Sequence, residues 1–224
     1  MNERKADGAP NASDLARLRR EYDKGDLSDH ASGADPVELF RSWLGEALRV
    51  GAHEPNAMTL ATIGEDGRPR ARIVLLKSVD EHGFVFFTNY ESKKGAELTA
   101  NPFASLVFFW PELERQVRVE GAVTRTSAAE SDEYFALRPE GAQLGAWASR
   151  QSRPIASREA LEADLDLVTK RFGGGAIPRP DHWGGFRLDP HRIELWHGRP
   201  SRLHDRLLFE RDGRAPWTAT RLSP

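Results

Sequence analysis

The 224-residue chain contains no cysteine. That excludes disulfides, thiolate nucleophiles, iron–sulfur ligation and cysteine-based zinc sites, and it fits a reducing compartment such as the cytoplasm. Long apolar runs are missing too. No stretch approaches the length that crosses a bilayer, and the opening "MNERKADGAPNAS" lacks the apolar centre of a secretion signal. Nor is there a large charge of one sign. Lys plus Arg number 32 against 34 Asp plus Glu, a net charge of -2, so no global basic field calls for nucleic acid. The seven histidines are scattered, with no H-E-x-x-H or facial-triad spacing that would hold a metal. Neither a G-x-S-x-G elbow, nor a G-x-G-x-x-G after a strand, nor a G-x-x-x-x-G-K-[ST] loop is legible. These absences predict a cytoplasmic protein without membrane, nucleic-acid or metal partners, whose binding comes from local clusters.

What is present is mostly strand. Residues 1–13 read as a flexible lead-in and residues 14–224 as a single domain. A helix is expected over "SDLARLRREYDKG", capped by Ser13 or Asp14 and ended by Gly25. A second is expected over "DPVELFRSWLGEALRVG", with Asp35 as cap, Pro36 at the first position and a stripe of Leu39, Phe40, Trp43, Leu44, Ala47 and Leu48. The period then changes. "AMTLATI", "RARIVLLKSV", "GFVFFTN", "FASLVFFW" and "RQVRVEGAVTRT" are β-branched or aromatic runs separated by turn signals, with Asp66 and Gly67 as a hairpin turn. Helices interrupt at "SKKGAELTA", at "SAAESDEYFALR" and at "SREALEADLDLVTKRF", the last closed by three glycines. Further strands are expected at "WGGFRLD", "RIELWHG", "LHDRLLFERDG" and "WTATRLS". The fold class is therefore α+β, mainly β: about eight antiparallel strands forming a barrel with flanking helices.

Several clusters suit anions and flat polar rings. In "RARIVLLK", Arg70 and Arg72 share a strand face with Val74 and Leu76, while Ile73, Leu75 and Lys77 take the other. Arg72 and Lys77 reach one pocket only if a bulge or twist intervenes; otherwise they serve neighbouring groups or are solvated strand ends. Thr88, Ser92, Lys93 and Lys94 sit at a strand-to-helix junction, which is either a phosphate site or an ordinary capped helix start. Glu114, Gln116, Arg118 and Glu120 alternate with Val117 and Val119. Tyr134 and Arg138, four apart on a helix, form an anion clamp or a plain surface pair. If "RLHDR" is extended, Arg202, His204 and Arg206 project from one face, with Trp196 as an aromatic wall. Such a row wants an anionic ligand, or else salt bridges to nearby acids.

The segments "LRREY", "RIVLLK", "FFTN", "ERQVRVEG", "YFALRP", "GAWASRQS", "WGGFRL", "IELWHG" and "RLHDR" stand in one order from about Leu15 to Pro224. In this the chain resembles the pyridoxine/pyridoxamine 5'-phosphate oxidases. The resemblance implies an FMN-binding split β-barrel, working as a homodimer with FMN at the subunit interface. It implies oxidation of pyridoxamine or pyridoxine 5'-phosphate to pyridoxal 5'-phosphate, with O2 as oxidant and hydrogen peroxide, plus ammonia from the amine, as by-products. Carried over by residue, it places Arg72, Ile73, Val74, Leu75, Leu76 and Lys77 along the flavin. Phe87, Thr88, Lys93, Lys94 and Gln116 match further flavin positions. Gln151 and Ser152 would reach the flavin from the partner subunit, and Trp196 and Arg206 would also contact it. Lys77, Tyr134, Arg138 and Ala142 would surround the substrate phosphate. Arg202 and His204 would face the pyridine ring as the catalytic pair, and Arg19 and Tyr22 would close over it. Three positions depart from the pattern: Phe87 where tyrosine is frequent, Lys93 where arginine is common, and Ala142 where serine usually adds a hydroxyl. The rival readings are a split-barrel flavin enzyme with another substrate, such as a flavin reductase or deazaflavin-dependent oxidase, and a non-catalytic FMN or pyridoxal phosphate carrier.

Overall fold

The computed structural model describes residues 21–27, 31 and 33–224. The expected lead-in, Arg19 and most of the first expected helix lie outside the described residues. The last part of that helix, residues 21–25, is described and is not helical.

Helix α1 (Pro36–Arg49) starts where Asp35 accepts hydrogen bonds from the Val37 and Glu38 amides and Pro36 takes the first turn. Its inward face is Val37, Phe40, Trp43 and Ala47; Leu48, expected in the stripe, is exposed because it falls off that face in the last turn. Strands β1 (Ala57–Ile63) and β2 (Pro69–Leu75) form the expected hairpin, with Gly67 at φ 72 in its turn. The expected single strand "RARIVLLKSV" is broken. After β2 the Leu76 amide donates to Asn56 and the Lys77 amide to Val85, so the chain changes partner before β3 (Ser78–Asp80) pairs with β4 (Gly83–Asn89). Then follow α2 (Lys93–Ala100), β5 (Phe103–Trp110), β6 (Arg115–Arg125), α3 (Ala128–Ala136), α4 (Glu140–Ala148) and α5 (Arg158–Phe172). Each of α2, α3 and α5 is capped by a serine hydroxyl that accepts an amide of its first turn, from Ser92, Ser127 and Ser157 respectively. Gly173, at φ 49, stops α5.

The expected strands "WGGFRLD" and "RIELWHG" are one, β7 (Trp183–His197). Pro190 has no amide to give the ladder, and the strand tolerates it at a bulge. Glu120 pairs with Arg192 and Gly121 with Pro190, leaving His191 extra. A Cβ at Gly121 would lie 2.1 Å from the Asp189 carbonyl oxygen, so glycine is required opposite the bulge. After a short 3-10 turn (Pro200–Arg202) come β8 (Asp205–Glu210) and β9 (Thr218–Leu222). The sheet is antiparallel in the order β2-β1-β5-β6-β7-β4-β3, with β8 and β9 continuing from β7. The first half of β7 pairs with β4 and its second half with β8, so the sheet splits along this strand and curls around one core. This is the expected mainly-β split-barrel architecture with flanking helices. At its centre Phe40 meets Phe84 at 4.9 Å and Phe108 at 4.8 Å between ring centroids. Among the described residues no helix is long and apolar enough to cross a membrane.

Candidate active site

A cavity of about 640 Å³ opens where β2, β4, α2, α3 and α4 meet. The partner change after β2 brings Lys77 to it beside Ile73, Val74 and Leu75. Arg72 and Leu76 take the opposite parity. Leu76 is in the core, and Arg72 turns to the α2 side, donating to Thr62 Oγ1 (2.6 Å) and to Glu97 (2.9 Å). Arg72 and Lys77 thus have different surroundings, and the cause is the partner change after Leu75 rather than strict alternation, since Val74, of Arg72's parity, also lines the cavity.

One end of the cavity is cationic. Lys94 Nζ donates to Gln151 Oε1 (2.7 Å), Thr88 Oγ1 (2.9 Å) and Ser92 Oγ (3.3 Å). These acceptors are neutral, and among the described residues no ion pair to the ammonium is formed. Burial, with help from the nearby Arg72 charge and against that of Glu97, pulls its pKa down to about 8. Ser92 is the helix cap, its hydroxyl already spent on Gly95 N and Asn89 O. Gln151, expected to arrive from a second copy, reaches Lys94 within its own chain, because α4 turns the segment after Ala148 back over the start of α2. Lys93 and Ser152 do not line this cavity; they border a neighbouring one with Arg70 and Glu97.

The other end holds Tyr134, Arg138 and Ala142. The expected helical i,i+4 geometry is not what joins them: α3 ends at Ala136, and Arg138 lies in the turn that follows. Tyr134 stacks on Phe87 (4.1 Å, 20°), and the Arg138 guanidinium lies 4.6 Å from the Trp183 ring. Arg138 Nη1 is buried with no hydrogen-bond partner among the described residues, and burial lowers the pKa of the group. A buried guanidinium nitrogen without an acceptor is expensive unless a ligand supplies one.

The remaining predicted residues form a second cluster at the far end of β7. Gln116 pairs with Trp196 and Trp196 with Arg206, so the three stand side by side across β6, β7 and β8. His204 packs against Trp196 (4.7 Å) and Tyr22 (5.7 Å). Its Nδ1 accepts the Arg199 amide (3.1 Å), which leaves the proton on Nε2. Burial, then the charge of Arg202, lowers its pKa. The extended row of Arg202, His204 and Arg206 does not exist. Ser201 and Arg202 have φ of 56 and 61, so the chain turns there and the strand begins at Asp205. Arg206 is paired with Glu194 (2.9 Å), which also holds Arg118 (3.2 Å). Glu114, expected on the face of Gln116, precedes β6 at φ 56. It is buried and accepts the Asp23 and Lys24 amides. From residue 183, at the cavity, to residue 196 the strand covers roughly 40 Å at about 3.3 Å per residue.

Sequence reasoning missed α4, the cavity residues Asn89 and Trp183, and the carboxylates Glu97 and Glu194. Pro139 followed by "EGAQLGAWA" carried a helix-start signal. The two carboxylates carried none, since their partners lie on other elements.

Two family models match the chain: "Pyridoxamine 5'-phosphate oxidase" over residues 44–172 and "Pyridoxine 5'-phosphate oxidase C-terminal dimerisation region" over residues 183–224. A pyridoxine/pyridoxamine 5'-phosphate oxidase of Rubrobacter xylanophilus is 58% identical over 211 residues, 94% of this chain and 97% of that protein. One of Burkholderia multivorans is 58% identical over 212 residues, 94% and 99% of the two chains. Among solved structures, PhzG from Burkholderia lata in complex with tetrahydrophenazine-1-carboxylic acid superposes with a TM-score of 0.83 at 34% identity, covering 90% of this chain and all of that one. A pyridoxamine 5'-phosphate oxidase-related, FMN-binding protein of Nostoc punctiforme shares the fold, with a TM-score of 0.66 at 20% identity over 83% of this chain and 97% of that one.

Proposed function

The chain belongs to the pyridoxamine 5'-phosphate oxidase family, and from that premise we propose that it oxidises pyridoxamine 5'-phosphate and pyridoxine 5'-phosphate to pyridoxal 5'-phosphate. FMN is the cofactor, O2 the final oxidant and hydrogen peroxide the by-product, with ammonia released from the amine. The observation that carries this reading is Arg138. Its side chain lines a cavity shared with Tyr134 and Lys77, its Nη1 has no hydrogen-bond partner among the described residues, and a phosphate ester entering the cavity brings the counter-charge and acceptors this guanidinium lacks. A guanidinium also pairs with a carboxylate, so the choice of B6 phosphates over a phenazine acid such as the one in the PhzG complex is supported by the family-model matches and the 58% identical relatives.

The cavity fits the cofactor on its own chemistry. The desolvated Lys94 ammonium, ringed by Thr88 and Gln151, is a site for the flavin phosphate, and the apolar run of Ile73, Val74 and Leu75 is a wall for a flat ring. When bound, FMN supplies a two-electron acceptor that O2 restores. The protein's part is placement and charge. Tyr134, Arg138 and Lys77 hold the phosphate, and a neutral His204 offers an Nε2 donor beside the Arg202 charge to the pyridine ring. None of Gln116, Trp196, Arg202, His204 and Arg206 lines this cavity, which supports a site that one chain does not close. A second copy would bring Gln116, Trp196, Arg202, His204 and Arg206 to the first copy's cavity, in keeping with the dimerisation-region match over residues 183–224. On this reading the protein is a cytoplasmic homodimer built from one domain over residues 14–224, its dimeric state supported by the dimerisation-region match.

The test is direct. The purified protein should be yellow or take up FMN. With pyridoxamine 5'-phosphate in air it should form peroxide and the aldehyde in equal amounts. Flavin and B6 binding without turnover would indicate a carrier, and a flavoprotein indifferent to B6 phosphates would indicate a relative with another substrate.

A further inference from the structure

Glu97 lies on α2, one turn after Lys94, and only 3% of its surface is exposed. A carboxylate so buried is unfavourable unless cations and donors surround it. Here they do, from two strands. Thr62 of β1 donates to Oε2 (2.5 Å), Arg72 of β2 donates to the same oxygen (2.9 Å), and Arg70 of β2 donates to Oε1 (2.8 Å). Arg72 Nη1 in turn donates to the Thr62 hydroxyl (2.6 Å) and the Leu60 carbonyl (3.3 Å). Both terminal nitrogens of Arg72 are therefore committed, and its guanidinium is held in one place. Burial alone would raise the Glu97 pKa, but the bonds from Thr62, Arg70 and Arg72 outweigh it and keep the carboxyl below its ordinary value. Nothing in the proposed reaction uses this carboxylate, and it does not line the main cavity.

We propose that Glu97 is a positioning residue for the flavin phosphate: it touches no ligand, and it acts by fixing Arg72 and by balancing the charge that Arg72 imposes on Lys94. The inference rests on the flavin reading above. Its physical content is a charge count. Arg70, Arg72 and Lys94 converge on the start of α2, with Glu97 as the buried anion among them and Asp66 paired with Arg70 at the rim (3.2 Å). Glu65 also acts on Arg70. Glu91, Lys93 and Arg153 border the neighbouring cavity, while Lys77, Tyr134 and Arg138 share that of Lys94. Of these, Arg72 is the charge that most disfavours the Lys94 ammonium and Glu97 the one that most favours it. Removing the Glu97 charge frees the Arg72 fork and leaves Lys94 facing an uncompensated cation. The phosphate site then loses the fixed placement of its neighbouring cation, and Lys94 sheds its proton at lower pH.

The experiment is FMN titration of the full-length, flavin-stripped protein, followed by flavin fluorescence over about pH 6.5 to 9, on either side of the Lys94 transition. Glu97→Gln is expected to weaken FMN binding roughly tenfold near pH 7, the loss expected for one charge-assisted hydrogen bond. The loss should grow with pH, because Lys94 deprotonates earlier in the variant. In an Arg72→Gln background the same change should add almost nothing near pH 7, since its route runs through Arg72. A residue of merely structural importance would lower thermal stability with a pH-independent and additive loss of affinity. Thr62→Val, close to isosteric, removes the hydroxyl that bridges Glu97 and Arg72. It gives a smaller loss in the same direction and serves if Glu97→Gln does not fold. Wild-type affinity and pH profile in either variant, or full additivity with Arg72→Gln, overturns the proposal. A wild-type protein that takes up no FMN instead overturns the flavin reading, and this inference with it.

Discussion

His204 and Trp196 lie with ring centroids 4.7 Å apart, and the same histidine accepts the Arg199 amide on Nδ1. The imidazole is thus oriented by a ring on one side and a backbone donor on the other. Its Nε2–H is the free end, and Arg202 stands two residues away in a left-handed turn.

The protonation state of His204 should limit activity in acid. Burial, then the Arg202 charge, holds its pKa below the ordinary 6.5. A proton on Nδ1 would break the bond from Arg199. Activity should therefore hold until pH falls below the usual histidine range and drop as His204 charges. Arg202→Ala removes a like charge, so the acid limb of kcat/KM should move up toward 6.5. It should also lower kcat as well as raise KM, because Arg202 would act at the reacting end. An unchanged kcat with raised KM would make Arg202 a binding residue only.

Lys94→Met should stabilise the flavin-free protein and cripple FMN binding. The lysine pKa falls from 10.5 in the unfolded chain to about 8 in the fold. A depressed lysine costs stability in full below about 8, and the cost fades as pH rises to 10.5. The variant should therefore melt at higher temperature than wild type near neutrality, with the gap narrowing in alkali. An equal or lower Tm at neutral pH would show that the buried ammonium is well compensated.

Most strands and helices of this chain are legible because their boundaries carry local signals. Asp35 with Pro36, Ser127 with Glu130, and the turn at Asp66 and Gly67 mark boundaries that need no tertiary knowledge. The cavity was legible only in part: the sequence marked Arg72 and Lys77 as serving different surroundings, but what separates them is the partner change after Leu75, which depends on Asn56 and Val85. What was not legible depends on distant backbone. The straight row expected for Arg202, His204 and Arg206 fails because Ser201 and Arg202 adopt positive φ, which neither residue type announces. The join of two strands through Pro190 depends on Gly121, nearly 70 positions earlier, giving room to the bulge. Glu97 looks like any helix-surface acid until Thr62, Arg70 and Arg72 are seen around it.

Ala142→Ser should improve the substrate site. Ala142 lines the cavity with Tyr134 and Arg138, where a hydroxyl would meet the phosphate. One hydrogen bond to a charged group is worth roughly 1.5–3 kcal/mol, so KM for pyridoxamine 5'-phosphate should fall by about tenfold with kcat little changed. An unaltered KM would remove Ala142 from the phosphate pocket.

Gly198→Ala should unseat Tyr22 and disturb the substrate more than the flavin. A Cβ at position 198 would lie 2.6 Å from Tyr22 Cγ, too close for the ring to stay against Trp196 and His204. The strand itself has no reason to move, since His197 closes β7 with its pairing to Asp205 and to Arg115 intact. The segment after Tyr22 is also tied independently, by Glu114 to the Asp23 and Lys24 amides and by Asp205 to the Leu27 amide. The displacement should therefore stay local. Tyr22 is proposed to close over the substrate, so KM for the B6 phosphate should rise several-fold, the scale of one lost aromatic contact of about 0.5–1.5 kcal/mol. FMN affinity should change less than the substrate KM, because the Lys94 end of the cavity is untouched and only the packing of Tyr22 on Trp196 is lost. Steady-state kinetics and flavin titration on the same preparation separate the two effects. An unchanged KM would mean that Tyr22 is a packing residue with no part in holding the substrate.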